Sequence, residues 1–227
     1  MNNFDLSEAI DLESDLNPKY FGQLSKLGKR ASFEAGRHIF YQGESAEYVF
    51  LLTDGSLKTT RSDEKGYDTL LKIHQVGSLV GLSTLRPKAA RDANCIAVEA
   101  SEVRRFGRNE FFGLMRMDGE LGILLVQILL KRQQLLHSRV SDVTGLSVEQ
   151  RLARVLVQMH LELDASADSS EMVTLRISHD DLAALVFSRR QYITAILGKF
   201  VAAGLIENRR QQLRVLDVER LLLVVSG

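Results

Sequence analysis

The sequence predicts an α+β protein in three parts: a β-rich N-terminal half, a long helix, and a C-terminal winged helix-turn-helix. Three observations carry this. Single glycines punctuate short apolar runs up to about Phe106. Apolar residues then recur at spacings of three and four through a proline-free stretch. Two short helical patterns and a hairpin pattern follow near the C-terminus. At 227 residues the chain suits two modest domains better than one. Its 45% apolar and 26% charged residues are a globular composition, so disorder is not expected.

In the first part, from about Ala31 to Phe106, the candidate strands are His38-Ile39-Phe40, Tyr48 to Leu52, Ser56 to Thr60, Thr69 to Ile73 and Ile96 to Val98. Gly36, Gly43, Gly55, Gly66 and Gly77 fall between them, where turns need positive φ. From about Asn109 the pattern becomes helical. Leu121, Leu125, Leu129, Leu136, Val140 and Val143 can share one stripe, interrupted by Arg132. A helix of ~25 residues is ~38 Å long and would outrun one small domain, which favours a seam between two copies over a core helix of a monomer. Thr144-Gly145-Leu146 ends it, and Ser147 with Gln150 forms a capping box for the next helix. That helix has Leu152, Val155, Leu156, Met159 and Leu163 on its apolar face, and Asp164 to Ser170 reads as a polar loop.

In the last part Ser178 caps a short helix running to Leu185, and a second helix spans Arg190 to Phe200 after a tight connection through Phe187, Ser188 and Arg189. This is helix-turn-helix spacing: Ala183 allows close approach, and Leu182, Leu185, Ile193 and Leu197 supply a shared core. Between Ser188 and Arg214 the bases are Arg189, Arg190, Lys199, Arg209, Arg210 and Arg214, and the only acid is Glu207. Arg189, Arg190, Gln191 and Thr194 fall in the first turns of the second helix, where arginine suits guanine and glutamine suits adenine. Ile206-Glu207 and Leu213 to Leu216 read as two strands around Asn208 to Gln212, a wing whose tip carries Arg209 and Arg210 for phosphates. Asp217 caps a last helix.

Formal net charge is zero, so nucleic-acid binding must come from a local cluster of this kind. The single cysteine, Cys95, excludes an intramolecular disulfide, a four-cysteine zinc site and an iron-sulfur cluster. The acidic start Met1 to Asp5 does not read as a signal peptide, and the apolar tract Leu121 to Leu130 is far short of a membrane span, so no membrane association and a cytoplasmic location are expected. No nucleophile elbow, Walker loop or helical zinc motif points to an enzyme. Asp180 and Asp181 beside His179 are explained by a helix start.

Taken together these residues resemble the CRP/FNR superfamily of bacterial transcription regulators from about Phe33 to Leu216. The N-terminal motif is Phe33, Gly36, Ile39, Phe40, Gly43, Glu44 and Ala46, then Phe50-Leu51-Leu52, Gly55, Leu57 and Lys58. The C-terminal motif is Leu182, Ala183, Leu185, Val186, Arg190 to Thr194 and Gly204-Leu205-Ile206. The resemblance implies a double-stranded, jelly-roll-like β-roll sensor domain over 1–118, a dimerisation helix and hinge over 119–145, and a winged helix-turn-helix over 146–227. It also implies a homodimer, double-stranded DNA and RNA polymerase as partners, and an inverted-repeat operator. Arg190 and Gln191 match two positions at which cyclic-AMP receptor proteins read bases, and Ala195 stands at the third. Phe187 stands where the turn usually has glycine, which implies strain.

The family's phosphate-binding cassette corresponds to Gly81-Leu82-Ser83 and Arg91-Asp92. Gly81 and Arg91 match, whereas Leu82 replaces a ribose-binding glutamate and Asp92 places a carboxylate where the cyclic phosphate would lie. Ordinary cyclic-AMP binding is therefore not expected. Leu136 and His137 fall where relatives place ligand-touching hydroxyls. His74 and Cys95 lie in no haem motif, so haem is not expected. Three sensor readings stay open: an unidentified small molecule, an atypical nucleotide, or a collapsed pocket. A second class of function, a module whose winged helix contacts protein instead of DNA, would differ by its weak response to salt.

Overall fold

A computed structural model describes residues 14–64, 68–164, 175–209 and 212–226 of the chain. The expectations for Met1 to Asp5, Gly66, residues 165–170 and Arg210, and for the Leu163 side chain, lie outside the described residues. The chain divides into two compact units, one covering Leu12–Arg132 and one built mainly from Gln133–Gly227.

The N-terminal unit is two four-stranded antiparallel sheets. One joins β1 (Lys29–Phe33), β8 (Ser101–Gly107), β3 (Tyr48–Asp54) and β6 (Leu79–Val80) in that order; the other joins β2 (His38–Phe40), β7 (Asn94–Ala97), β4 (Leu57–Ser62) and β5 (Asp68–His74). Phe50 and Leu52 of β3 face Leu57, Cys95, Ala97 and Val103 between the sheets. Val49 and Leu51 face Leu16, Tyr20, Phe106 and Phe111 on the other side. Burial on both faces explains why β3 is continuously apolar instead of alternating. Gly55 (φ +81) is required for a second reason: a Cβ there would lie 2.4 Å from Ser101 Oγ and 2.5 Å from Ala100 O.

Besides β1 and β6, a short helix and a long strand were not among the elements named from the sequence. A helix, α1 (Pro18–Leu24), is started by Asn17, whose side chain accepts Tyr20 N–H, and by Pro18 in its first turn. Strand β8 carries Glu102, Arg104 and Arg105 yet lies centrally between β1 and β3.

The helical region is two helices, a correction to the single run expected from Asn109. α2 (Arg108–Met117) ends at Asp118, which leaves the helical conformation (φ −131) and accepts Glu120 N–H at 3.1 Å to begin α3 (Gly119–Gly145). The expected single stripe is also divided. Leu121 and Leu125 are buried with Ile128 in the N-terminal unit's own core, whereas Leu129, Leu136, Val140 and Val143 are exposed. The exposed set joins Val126 at positions 126, 129, 136, 140 and 143, the spacing of a two-helix seam.

In the C-terminal unit α4 (Val148–Asp164) starts at the expected capping box: Gln150 N–H donates to Ser147 Oγ at 3.2 Å and Ser147 N–H to Gln150 Oε1 at 2.9 Å. Leu152, Val155, Leu156 and Met159 are buried. So is Arg151, which donates to the carbonyls of Leu146 and Val186 and so ties the hinge to the next helix. Helices α5 (His179–Leu185) and α6 (Arg190–Ala202) lead to a sheet ordered β10 (Ile206–Arg209), β11 (Gln212–Val215), β9 (Leu175–Arg176), and α7 (Val218–Ser226) closes the unit. β9 was not foreseen. The expected wing needs a second correction: pairing continues through Asn208↔Leu213 to Arg209↔Gln212, so Asn208, Arg209 and Gln212 are strand residues and not loop.

Candidate nucleic-acid interface and effector pocket

The helix-turn-helix is held by local caps and a small core. Ser178 Oγ accepts Asp181 N–H at 3.0 Å to begin α5. Leu182, Ala183 and Leu185 pack under α6, whose Ile193, Ile196, Leu197 and Phe200 are buried. Ser188 N–H returns to Ala183 O at 2.8 Å, closing the turn around Phe187. Phe187 adopts φ +52, a left-handed conformation that costs a side chain with a Cβ about 1–2 kcal/mol. Its ring is half in solvent, so burial offsets the strain only in part.

This packing turns Arg190, Gln191, Tyr192 and Thr194 outward, with Arg189 in extended conformation at the N-cap. Arg190 Nη1 lies 3.0 Å from Asp180 Oδ2 of α5. His179 bridges two elements: Nδ1 is 3.0 Å from Thr194 Oγ1 on α6 and Nε2 is 3.1 Å from Asn208 Nδ2 on β10. A neutral ring with its proton on Nδ1 satisfies both contacts. Asp180, His179, Asn208 and the exposed Tyr192 had no signal in the cationic pattern, because none of them is a lysine or arginine and the contacts of the first three are tertiary.

The other cations are distributed more widely. Lys199 lies nine residues after Arg190, about two and a half helical turns on, and therefore faces another side of α6. There its Nζ is 3.4 Å from Glu149 Oε2 of α4. Arg209 pairs with Glu207 at 2.8 Å, and Arg214 lies 3.6 Å from the same carboxylate. Arg190, Lys199, Arg209 and Arg214 thus each have a carboxylate neighbour, in largely exposed pairs that water weakens to about 0–1 kcal/mol.

In the N-terminal unit Gly81 and Arg91 come together. Gly81 has φ +75, and a Cβ there would lie 2.5 Å from Arg91 Nη1. The Arg91 guanidinium is 4.1 Å from the Phe40 ring centroid. Its Nη1 donates to Gly81 O (3.0 Å) and Thr84 Oγ1 (3.1 Å), and its Nη2 to Tyr48 O (2.8 Å). Burial lowers its pKa from the ordinary value, opposed by Cys95, Asp92, Glu44 and Glu47. Leu82 does not join Arg91: it packs against the cluster of Leu16, Tyr20 and Phe106 on the far side of the sheet. Ser83 Oγ is buried with no partner among the described residues, and Asp92 is exposed. Leu136 and His137 are exposed on the part of α3 that belongs to the C-terminal unit.

The Cys95 thiol is buried, and its pKa is pushed up to about 12 by burial, against the opposing charge of Arg91. A thiol so firmly protonated is a poor metal ligand. His74 is fully enclosed, with Nε2 at 3.2 Å from Thr59 Oγ1. No helix among the described residues is long and apolar enough to cross a membrane.

Comparison with known proteins agrees with this architecture. The cyclic nucleotide-binding domain family matches residues 30–118, and the Crp-like helix-turn-helix domain family matches residues 150–223. The chain belongs to the CRP/FNR superfamily of transcription regulators, which are not enzymes. It is 20% identical over 206 residues to the CRP-like cAMP-activated global transcriptional regulator of Mycobacterium tuberculosis, covering 91% of this chain and 92% of that one. It is 25% identical over 194 residues to the cyclic AMP receptor protein of Thermus thermophilus, covering 86% and 83%. Among solved structures, the c-di-GMP responsive global regulator CLP of Xanthomonas campestris shares the fold, with a TM-score of 0.76 at 19% identity over 88% of this chain and 99% of that one.

Proposed function

We propose that two copies of the chain pair along α3 and present their α6 helices to an inverted-repeat DNA operator, with half-sites about 34 Å apart. The observation that carries this reading is the outer face of α6, where Arg189, Arg190, Gln191 and Thr194 stand in solvent on a helix fixed by a well-packed core. Arg190 and Gln191 read base edges. Arg209 and Arg210 hold phosphates from the wing, and Lys199, beyond the reading face, serves the flanking backbone. The exposed apolar spacing of Leu129, Leu136, Val140 and Val143 supports the pairing. RNA polymerase is the partner on which such a regulator acts, in the cytoplasm.

Regulation differs from the cyclic-AMP activation in the Mycobacterium relative's name. The Arg91 guanidinium spends three hydrogen bonds on Tyr48, Gly81 and Thr84, Leu82 points away from it, and Asp92 adds negative charge nearby. The expected effector pocket, with Gly81 and Arg91 joined and Leu82 turned away, is therefore atypical and does not bind cyclic AMP in the usual way.

Selection of bound duplexes from a random pool, with and without cell-extract metabolites, tests the reading. An enriched inverted repeat is expected, with binding that weakens steeply as salt rises. Absence of any enriched sequence, or a salt-insensitive association, would count against it.

A further inference from the structure

The interior of the N-terminal unit holds a charged group separate from the Arg91 site. Strand β5 turns Leu70, Lys72 and His74 to its buried face. Lys72 Nζ there lies 3.4 Å from Asp15 Oδ1. Arg132 of α3 places Nη2 2.6 Å from Asp15 Oδ2, and the same oxygen accepts Leu79 N–H at 2.7 Å. Arg132 Nη2 also donates to Leu79 O at 2.7 Å. The Asp15 side chain is only 4% exposed, against 11% for Lys72 and 23% for Arg132. His74 on the same strand face is held neutral, by burial first and then by the charges of Lys72 and Arg132.

The cationic side of this group comes from the β-roll and α3: a lysine on β5, an amide on β6 and an arginine on the helix. The anion comes from a different part of the chain, the segment leading into α1. Two ammonium-type charges drawn into one partly dry space repel unless a carboxylate or similar anion lies between them. The geometry at Asp15 is that of a bound carboxylate, with one oxygen on Lys72 and the other shared by a guanidinium and a backbone amide.

We propose that Lys72, Leu79 N–H and Arg132 form an anion site whose resident occupant is the Asp15 carboxylate, and that a small carboxylate from solution takes the same place when the Asp15 side chain is withdrawn. The site is independent of the DNA-binding reading. Because Arg132 belongs to α3, the occupant fixes how the roll grips its own end of the long helix. An effector carrying a carboxylate would act there by exchange with Asp15.

The test is chemical rescue of full-length Asp15→Ala, followed by thermal unfolding. Loss of the anion should lower Tm by about 10 °C. Sodium acetate at tens of millimolar should restore at least half of that loss, while sodium chloride at equal ionic strength should not. Wild type should show no acetate-specific gain, and Asp15→Ala with Lys72→Met should lose the rescue. Equal responses to acetate and chloride, or rescue that survives in the double variant, overturn the proposal. If Asp15→Ala is recovered only in acetate, that is the same support. If it cannot be recovered at all, Asp15→Asn decides: a lowered Tm supports the site, and a wild-type Tm overturns it.

Discussion

Arg190 of α6 lies 3.0 Å from Asp180 of α5, and both side chains are about two-thirds exposed. The arginine assigned to a base edge is thus met by a carboxylate in the free protein. An exposed pair of this kind contributes about 0–1 kcal/mol, so DNA can replace it, but Asp180 still opposes the approach of phosphates. Asp180→Asn is expected to tighten binding to every duplex by about 3- to 10-fold at low salt and to steepen the salt slope by about one. Fluorescence anisotropy measures both. Weaker binding confined to the operator would instead mean that Asp180 orients Arg190.

The left-handed Phe187 gives a stability prediction. Glycine adopts φ +52 without a Cβ clash, although it gains conformational freedom in the unfolded chain. The net expectation for Phe187→Gly is stabilisation by about 0.5–1 kcal/mol, read as a rise of about 2–3 °C in Tm. A lowered Tm would show that the half-exposed ring makes contacts that outweigh the strain.

The exposed half of α3 predicts a seam. Replacing Leu136 by lysine removes an apolar side chain from each copy and brings two charges together. Dimer affinity should fall by at least 100-fold, from about 1.5 kcal/mol of lost burial per chain. Sedimentation at micromolar concentration distinguishes the outcomes, and an unchanged dimer would place the interface elsewhere.

His74 predicts a pH dependence of folding. Burial first, then Lys72 and Arg132, hold its pKa well below 6.5 in the folded protein, whereas in the unfolded chain it titrates near 6.5. Below that pH the unfolded state binds a proton that the folded state does not. Its contribution is therefore complete above about pH 7 and is lost as pH falls, by up to about 1.4 kcal/mol per pH unit. His74→Leu should flatten denaturant-derived stability between pH 7 and pH 5 relative to wild type. An identical slope would assign the dependence to other groups.

Much of the C-terminal unit was legible in the sequence because its determinants are local. Ser147 with Gln150, Ser178 and Asp217 each cap the helix that follows, and Leu182, Leu185, Ile193 and Leu197 lie at helical spacing. The strained turn at Phe187 was implied by the family resemblance, which places glycine there. Central strand β8 was not legible, since Arg104 and Arg105 break its apolar alternation and Arg105 stacks 5.2 Å over Tyr48 only once the sheet has formed. The carboxylate partners of Arg190 and Lys199 lie on other helices, so a count of charges along one segment overstated the free cationic field. The resemblance singled out Arg91 for the effector pocket but not its acceptors, which include the backbone carbonyls of Tyr48 and Gly81 that no residue type announces. Asp15, Lys72, Leu79 and Arg132 meet from four distant stretches of chain, and only packing brings them together.

The most direct measurement compares wild type and Arg190→Ala on the selected operator and on a scrambled duplex of equal length and salt. The expected result is a loss of about 1–3 kcal/mol on the operator, roughly 5- to 150-fold, with a much smaller change on the scrambled duplex. Equal losses on both would mean that Arg190 contacts only phosphate and that α6 does not read sequence through it.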